Sequence, residues 1–129
     1  MTLGELKARI DAIEESYEFF LAYAAQGLTT DLASQAGTQV RDYLKKCYEA
    51  LEGLTGGFRE HLPGDGAAEA MIAVLKRDVE ASQAVVGMVM AQGAVSSQLV
   101  DNLNASIHVR ALLTDLFLLD DLLPDQPAN

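Results

Sequence analysis

The chain has 129 residues, half of them hydrophobic and 22% charged, with 19 acidic against 9 basic side chains and a formal charge of −10. This length suits one domain with an ordinary core, and the composition excludes a disordered chain. The charge repels phosphate backbones and anionic lipid surfaces, which removes nucleic acid and membranes from the expected partners.

The first element is the most strongly patterned. Leu3, Leu6, Ile10, Ile13, Tyr17, Phe20 and Ala24 recur at alternating intervals of three and four, the spacing of a helix packed lengthwise against others. Thr2 and Glu5 have capping-box spacing and Gly27 suits a left-handed stop, so the helix is expected over about 3–26. Asp11, Glu14, Glu15 and Glu18 fall opposite the apolar stripe.

A second helix is expected over about 31–61, starting near Thr30 or Asp31. Ala33, Ala36, Val40, Leu44, Cys47, Leu51, Leu54, Phe58 and Leu62 stay on one face across Gly53, Gly56 and Gly57. Kept phase argues for a continuous helix, kinked and weakest near Gly56, because each interior Gly costs about 1 kcal/mol relative to Ala. Pro63, Gly64, Asp65 and Gly66 then make a turn.

The third helix is expected over about 67–92, capped by Asp65, with Met71, Leu75, Val79, Ser82, Val86 and Val89 inward. A strand hairpin through Val85–Val95 is the competing reading, but its apolar residues do not alternate. The fourth helix is expected from Ser96 or Ser97 to about Leu123, with Pro124, Asp125 and Pro127 opening a flexible tail over 124–129. Four helices joined by short turns predict an all-α, up-and-down antiparallel four-helix bundle over residues 1–123. The longest uncharged stretch, Ala81–Val100, is too interrupted by Ser, Gln and Gly to span a bilayer. One cysteine, and a start that passes straight into Thr2, Gly4 and Glu5, make the cytoplasm the expected compartment.

Few residues suggest chemistry. Asp78 and Arg110 occupy wheel positions that ask for apolar residues, at similar heights on the third and fourth helices, and are candidates for a buried ion pair. With Tyr17 and Phe20 they outline a candidate small-molecule pocket between helices. Asp101, Asn104, His108 and Asp115 share the face opposite Leu103 and read as a solvated stripe; residues seven apart lie about 10.5 Å apart, too far to share one ion. His61 reads as a helix-end residue complementing terminal carbonyls. The residues three before the histidines are Phe58 and Ala105, not the Glu of a carboxylate-bridged di-metal bundle, so no metal or cofactor is expected. Ser106, Ile107, Val109, Arg110 and Ala111 around His108 lack the Lys and Gly of a histidine phosphotransfer domain. Cys47 reads as a small core hydrophobe, with Lys45 and Lys46 leaving a reactive thiolate as the alternative.

Tyr17, Phe19, Phe20 and Tyr23 gather half of the eight aromatics within seven residues. Phe19 and Tyr23 widen the first helix's apolar face, as Val85, Met88 and Met90 do on the third. Helices apolar on more than one side need burial on more than one side, so Phe19, Tyr23, Met88 and Met90 are the expected interface of a homodimer or protein complex. The expected function is a non-catalytic, self-associating interaction protein, the alternative a bundle binding a small molecule at Tyr17, Phe20, Asp78 and Arg110. A narrower form is an export chaperone: flagellar and type III secretion chaperones are similar to this chain in being small, acidic and helical.

Overall fold

A computed structural model describes residues 1–125, and among these the chain is helical with no strand. The helices are α1 (Leu3–Ala24), α2 (Gln35–Leu51), α3 (Leu54–His61), α4 (Gly66–Met90), α5 (Ser97–Ala105) and α6 (Ile107–Leu122). None of them is long and apolar enough to cross a membrane. The expected tail falls mostly at 126–129, outside the described residues.

Local chemistry sets most of these ends. Thr2 and Glu5 form the capping box of α1. Ser34, Asp65 and Ser96 accept backbone N–H bonds at the starts of α2, α4 and α5, each satisfying a donor the first helical turn leaves open. Gly27 follows α1 with a φ of +68°.

Two expected helices are broken. The 31–61 segment begins only at Gln35 and is interrupted at Glu52 and Gly53, whose angles (φ −62°, ψ 123° and φ +72°, ψ 3°) are those of a type II turn. Arg9 closes the end: its Nη1 donates to the carbonyl of Glu49 at 3.0 Å and to that of Glu52. The turn nevertheless keeps the apolar register, so Val40, Leu44, Cys47 and Leu51 of α2 and Leu54 and Phe58 of α3 are all buried. Persistence of phase therefore did not require a continuous helix. The second break, at Ser106 (φ −58°, ψ 127°), does shift the phase. Val100, Leu103 and Asn104 face inward before it; Val109, Leu112, Leu113, Leu116 and Leu119 face inward after it, and Ile107 is left exposed.

Neighbouring helices run antiparallel wherever side chains join them. Glu15 pairs with Lys46, and Phe19 stacks on Tyr43, between α1 and α2. Asn104 of α5 donates to the Phe20 carbonyl of α1, while further along α1 Ser97 donates to the carbonyl of Tyr23. Ser82 of α4 donates to the His108 carbonyl of α6, and Met71 and Ala67 lie beside Leu118 and Leu122. One core, from Leu6 and Ile10 to Leu116 and Leu119, runs between them.

Candidate functional site

The four residues expected to form a pocket do not share a single one. Tyr17 and Arg110 line an open groove of about 360 Å³ between α1 and α6, with Glu14, Glu18, Leu113, Thr114 and Phe117. Phe20 is buried in the core. Asp78 is half-buried and faces Asp115 rather than Arg110, which is exposed. The expected ion pair thus fails for a definite reason: the phase shift at Ser106 turns Arg110 outward, and Asp115 inward, relative to an unbroken helix. The expected polar stripe is also divided within each helix: Asp101 of α5 and His108 of α6 are exposed, while Asn104 of α5 and Asp115 of α6 are buried.

The expected interface also resolves differently. Tyr23 has no exposed surface; its hydroxyl donates to the Val95 carbonyl at 2.6 Å. Phe19 stacks on Tyr43 with ring centroids 4.4 Å apart. The broad aromatic face of α1 is therefore covered by α2 and the 91–96 loop, within the chain. Met90 is half-buried and Met88 exposed, so Met88 alone of the four presents a large free surface.

The apolar surface that sequence periodicity missed lies on α6. Phe117, Leu118 and Leu122 are 62%, 53% and 60% exposed, next to the fully buried Leu116 and nearly buried Leu119. Phe117 borders the α1–α6 groove. Leu118 and Leu122 border a second, more apolar groove of about 410 Å³ against α4, walled by Leu62, Pro63, Ala67 and Met71. The outward face of α6 is thus a ridge between two troughs. The signal is present in the run Leu116, Phe117, Leu118, Leu119, which is apolar all round the helix and so cannot be buried on every side.

The rim of this surface is acidic. The exposed Asp65 lines the α4 groove, Glu14 and Glu18 border the α1 side, and Asp121 of α6 is exposed next to Leu122 in the chain. Burial, then Asp11, Asp120 and Glu18, raise the Glu14 carboxyl above its ordinary value. Lys7 of α1 is engaged with Asp120 at 3.6 Å, and Arg110 is the cationic residue lining the first groove. Such walls suit an apolar, cationic guest. Among the described residues no cluster of three or more His, Cys, Asp or Glu is placed to hold a metal ion. His61 Nε2 donates a hydrogen bond to the Met1 carbonyl at 2.9 Å. No protein-family model, curated protein or solved structure matches this chain.

Proposed function

We propose that this chain is a non-catalytic interaction module that docks an amphipathic helix of another protein, one carrying basic residues beside its apolar stripe, along the outer face of α6. The observation that carries the reading is the exposure of Phe117, Leu118 and Leu122 between two troughs. Large neighbouring hydrophobes on a helix ridge mark recognition surfaces more often than they mark neutral surface, and helix-in-groove binding reads side chains at such spacing. Charge complementarity selects the partner. A second copy would set the same carboxylates against each other, whereas a cationic helix pairs with them. In this reading α2 with α3, and α5 with α6, are two broken rods of an up-and-down four-helix bundle over residues 1–123, working in the cytoplasm. An export chaperone that shields a client helix is one form of it.

Titration with a fluorescently labelled Leu/Lys amphipathic peptide, read by anisotropy, tests the proposal. Saturable binding that weakens at least tenfold in Leu118→Ser/Leu122→Ser, with the fold intact by circular dichroism, supports it. Equal binding by the variant, or a dimer in light scattering that those substitutions dissolve, overturns it. The second reading, a small-molecule site at Tyr17 and Arg110, rests on the α1–α6 groove and predicts that Arg110→Ala, not the leucine pair, abolishes binding.

A further inference from the structure

Asp115 is the most deeply placed carboxylate of α6, 8% exposed, and one helical turn to either side of it lie the buried Leu112 and Leu119. Its Oδ2 is fully buried with no hydrogen-bond donor. Across the contact stands the half-buried Asp78 of α4, within hydrogen-bonding reach and itself one turn from buried Leu75 and Ser82. Two facing carboxylates, both ionised, would repel each other and leave a buried oxygen unsatisfied. One proton supplies the missing O–H and removes half of the charge.

No cation intervenes. On α4, Lys76 is taken by Glu80 at 2.6 Å and Arg77 is exposed. From α1, Lys7 reaches Asp120, and Glu14 and Glu18 lie in the groove with Arg110. α5 contributes only Asp101, exposed beside Ser96 and Gln98. On α6 itself His108 and Arg110 point outward.

We propose that Asp78 and Asp115 share one proton across the α4–α6 contact, and that this proton clamps α6 to α4 in mildly acidic solution and lets it open more readily as the solution is made neutral. Burial first, then the hydrogen bond from Asp78 and its charge, hold the Asp115 carboxyl up at about 7. The sign follows from linkage. A carboxyl whose folded value is raised stabilises the fold fully below its unfolded value near 4, and that contribution is lost as pH climbs towards the folded value. The inference does not depend on what α6 binds.

Carbon-13 NMR of the Asp carboxyls, combined with residue-level amide exchange, provides the test. In the wild type one proton should titrate near neutrality, and the opening equilibrium of the α6 amides, corrected for intrinsic exchange, should rise up to about tenfold per pH unit from about 5 to 7 and then level off. Asp115→Asn should abolish both signals. Asp78→Asn, at the less buried position, should do the same and serves if the first variant does not fold. Ordinary acid-range titration of both carboxyls in the wild type, or α6 opening with the same pH dependence in wild type and variants, would overturn the proposal.

Discussion

Arg41 Nε donates to Asp31 Oδ2 at 2.7 Å, and through this pair the loop after α1 is tied to the loop after α4. The same guanidinium donates to the carbonyls of Met90 and Gln92, and Asp31 Oδ1 accepts the Val95 N–H at 2.6 Å. Asp31 is 5% exposed, so a substitution leaves buried donors unpaired. Asp31→Ala should lower stability by about 2–3 kcal/mol in urea unfolding. The hydrogen bond from Arg41, followed by that from Val95, keeps the Asp31 carboxyl below its ordinary value against the opposing effect of burial. Its contribution is therefore present above the unfolded carboxylate range and lost as pH falls through the folded value, opposite in sign to that of Asp115. Stability measured against pH should peak in mild acid and fall on both sides, and Asp31→Ala should flatten the acid limb.

Three glycines should respond to alanine in three different ways. Gly53 sits at φ +72° in the turn between α2 and α3, where a side chain meets backbone strain, so Gly53→Ala should cost about 1–2 kcal/mol. Gly56 lies within α3 with open space where its Cβ would go, so Gly56→Ala should stabilise by about 0.5–1 kcal/mol. A Cβ on Gly37 would collide with the Asp31 carbonyl oxygen. That atom is backbone, so Gly37→Ala must displace the loop carrying Asp31 and should reproduce much of the loss seen in Asp31→Ala. Thermal melts of the three variants check the order.

Helix ends were readable from sequence where a single side chain decides them, as at Thr2, Asp65 and Ser96. The breaks at Glu52 and Ser106 were not, because apolar periodicity reports phase and not continuity. At Gly53 a turn restores the phase and hides the break; at Ser106 one extended residue changes it, so that Ile107 and Phe117 lie on the surface while Leu112, Leu116 and Leu119 are buried. That single shift accounts for Arg110 facing water, Asp115 facing Asp78, and Phe117 lying on the surface. The carboxyl pair is therefore out of reach of sequence reasoning, which sets Asp78 against Arg110 and Asp115 in a solvated stripe. The aromatic cluster at Phe19 and Tyr23 was visible, but what covers it is Tyr43 and the Val95 loop, contacts made at a distance in the chain.

Cys47 gives a probe of global opening. Burial alone pushes its thiol up to about 12, and the neighbouring Lys46 is directed to Glu15 at 2.7 Å. The thiolate fraction at neutral pH is then negligible in the folded chain. Modification by a disulfide reagent should be slow and should accelerate with urea in step with unfolding. Rapid labelling without denaturant would show that the α1–α2 contact opens locally.

Three consecutive residues on α6 separate packing from surface. Leu116 is fully buried, and Leu116→Ala should cost about 2–5 kcal/mol by loss of burial and creation of a cavity. Leu118, 53% exposed beside the α4 groove, has much of its surface in water already. Leu118→Ser should change stability far less, by about 0.5 kcal/mol or under, as expected for surface positions. If α6 instead packed with the phase of an unbroken helix from α5, Phe117 would be inside and Leu116 outside, and Phe117→Ala would carry the larger loss. Urea midpoints of the three variants, compared at constant slope, decide between the two registers. The ordering Leu116→Ala well below Phe117→Ala and Leu118→Ser in stability is the one that the break at Ser106 requires.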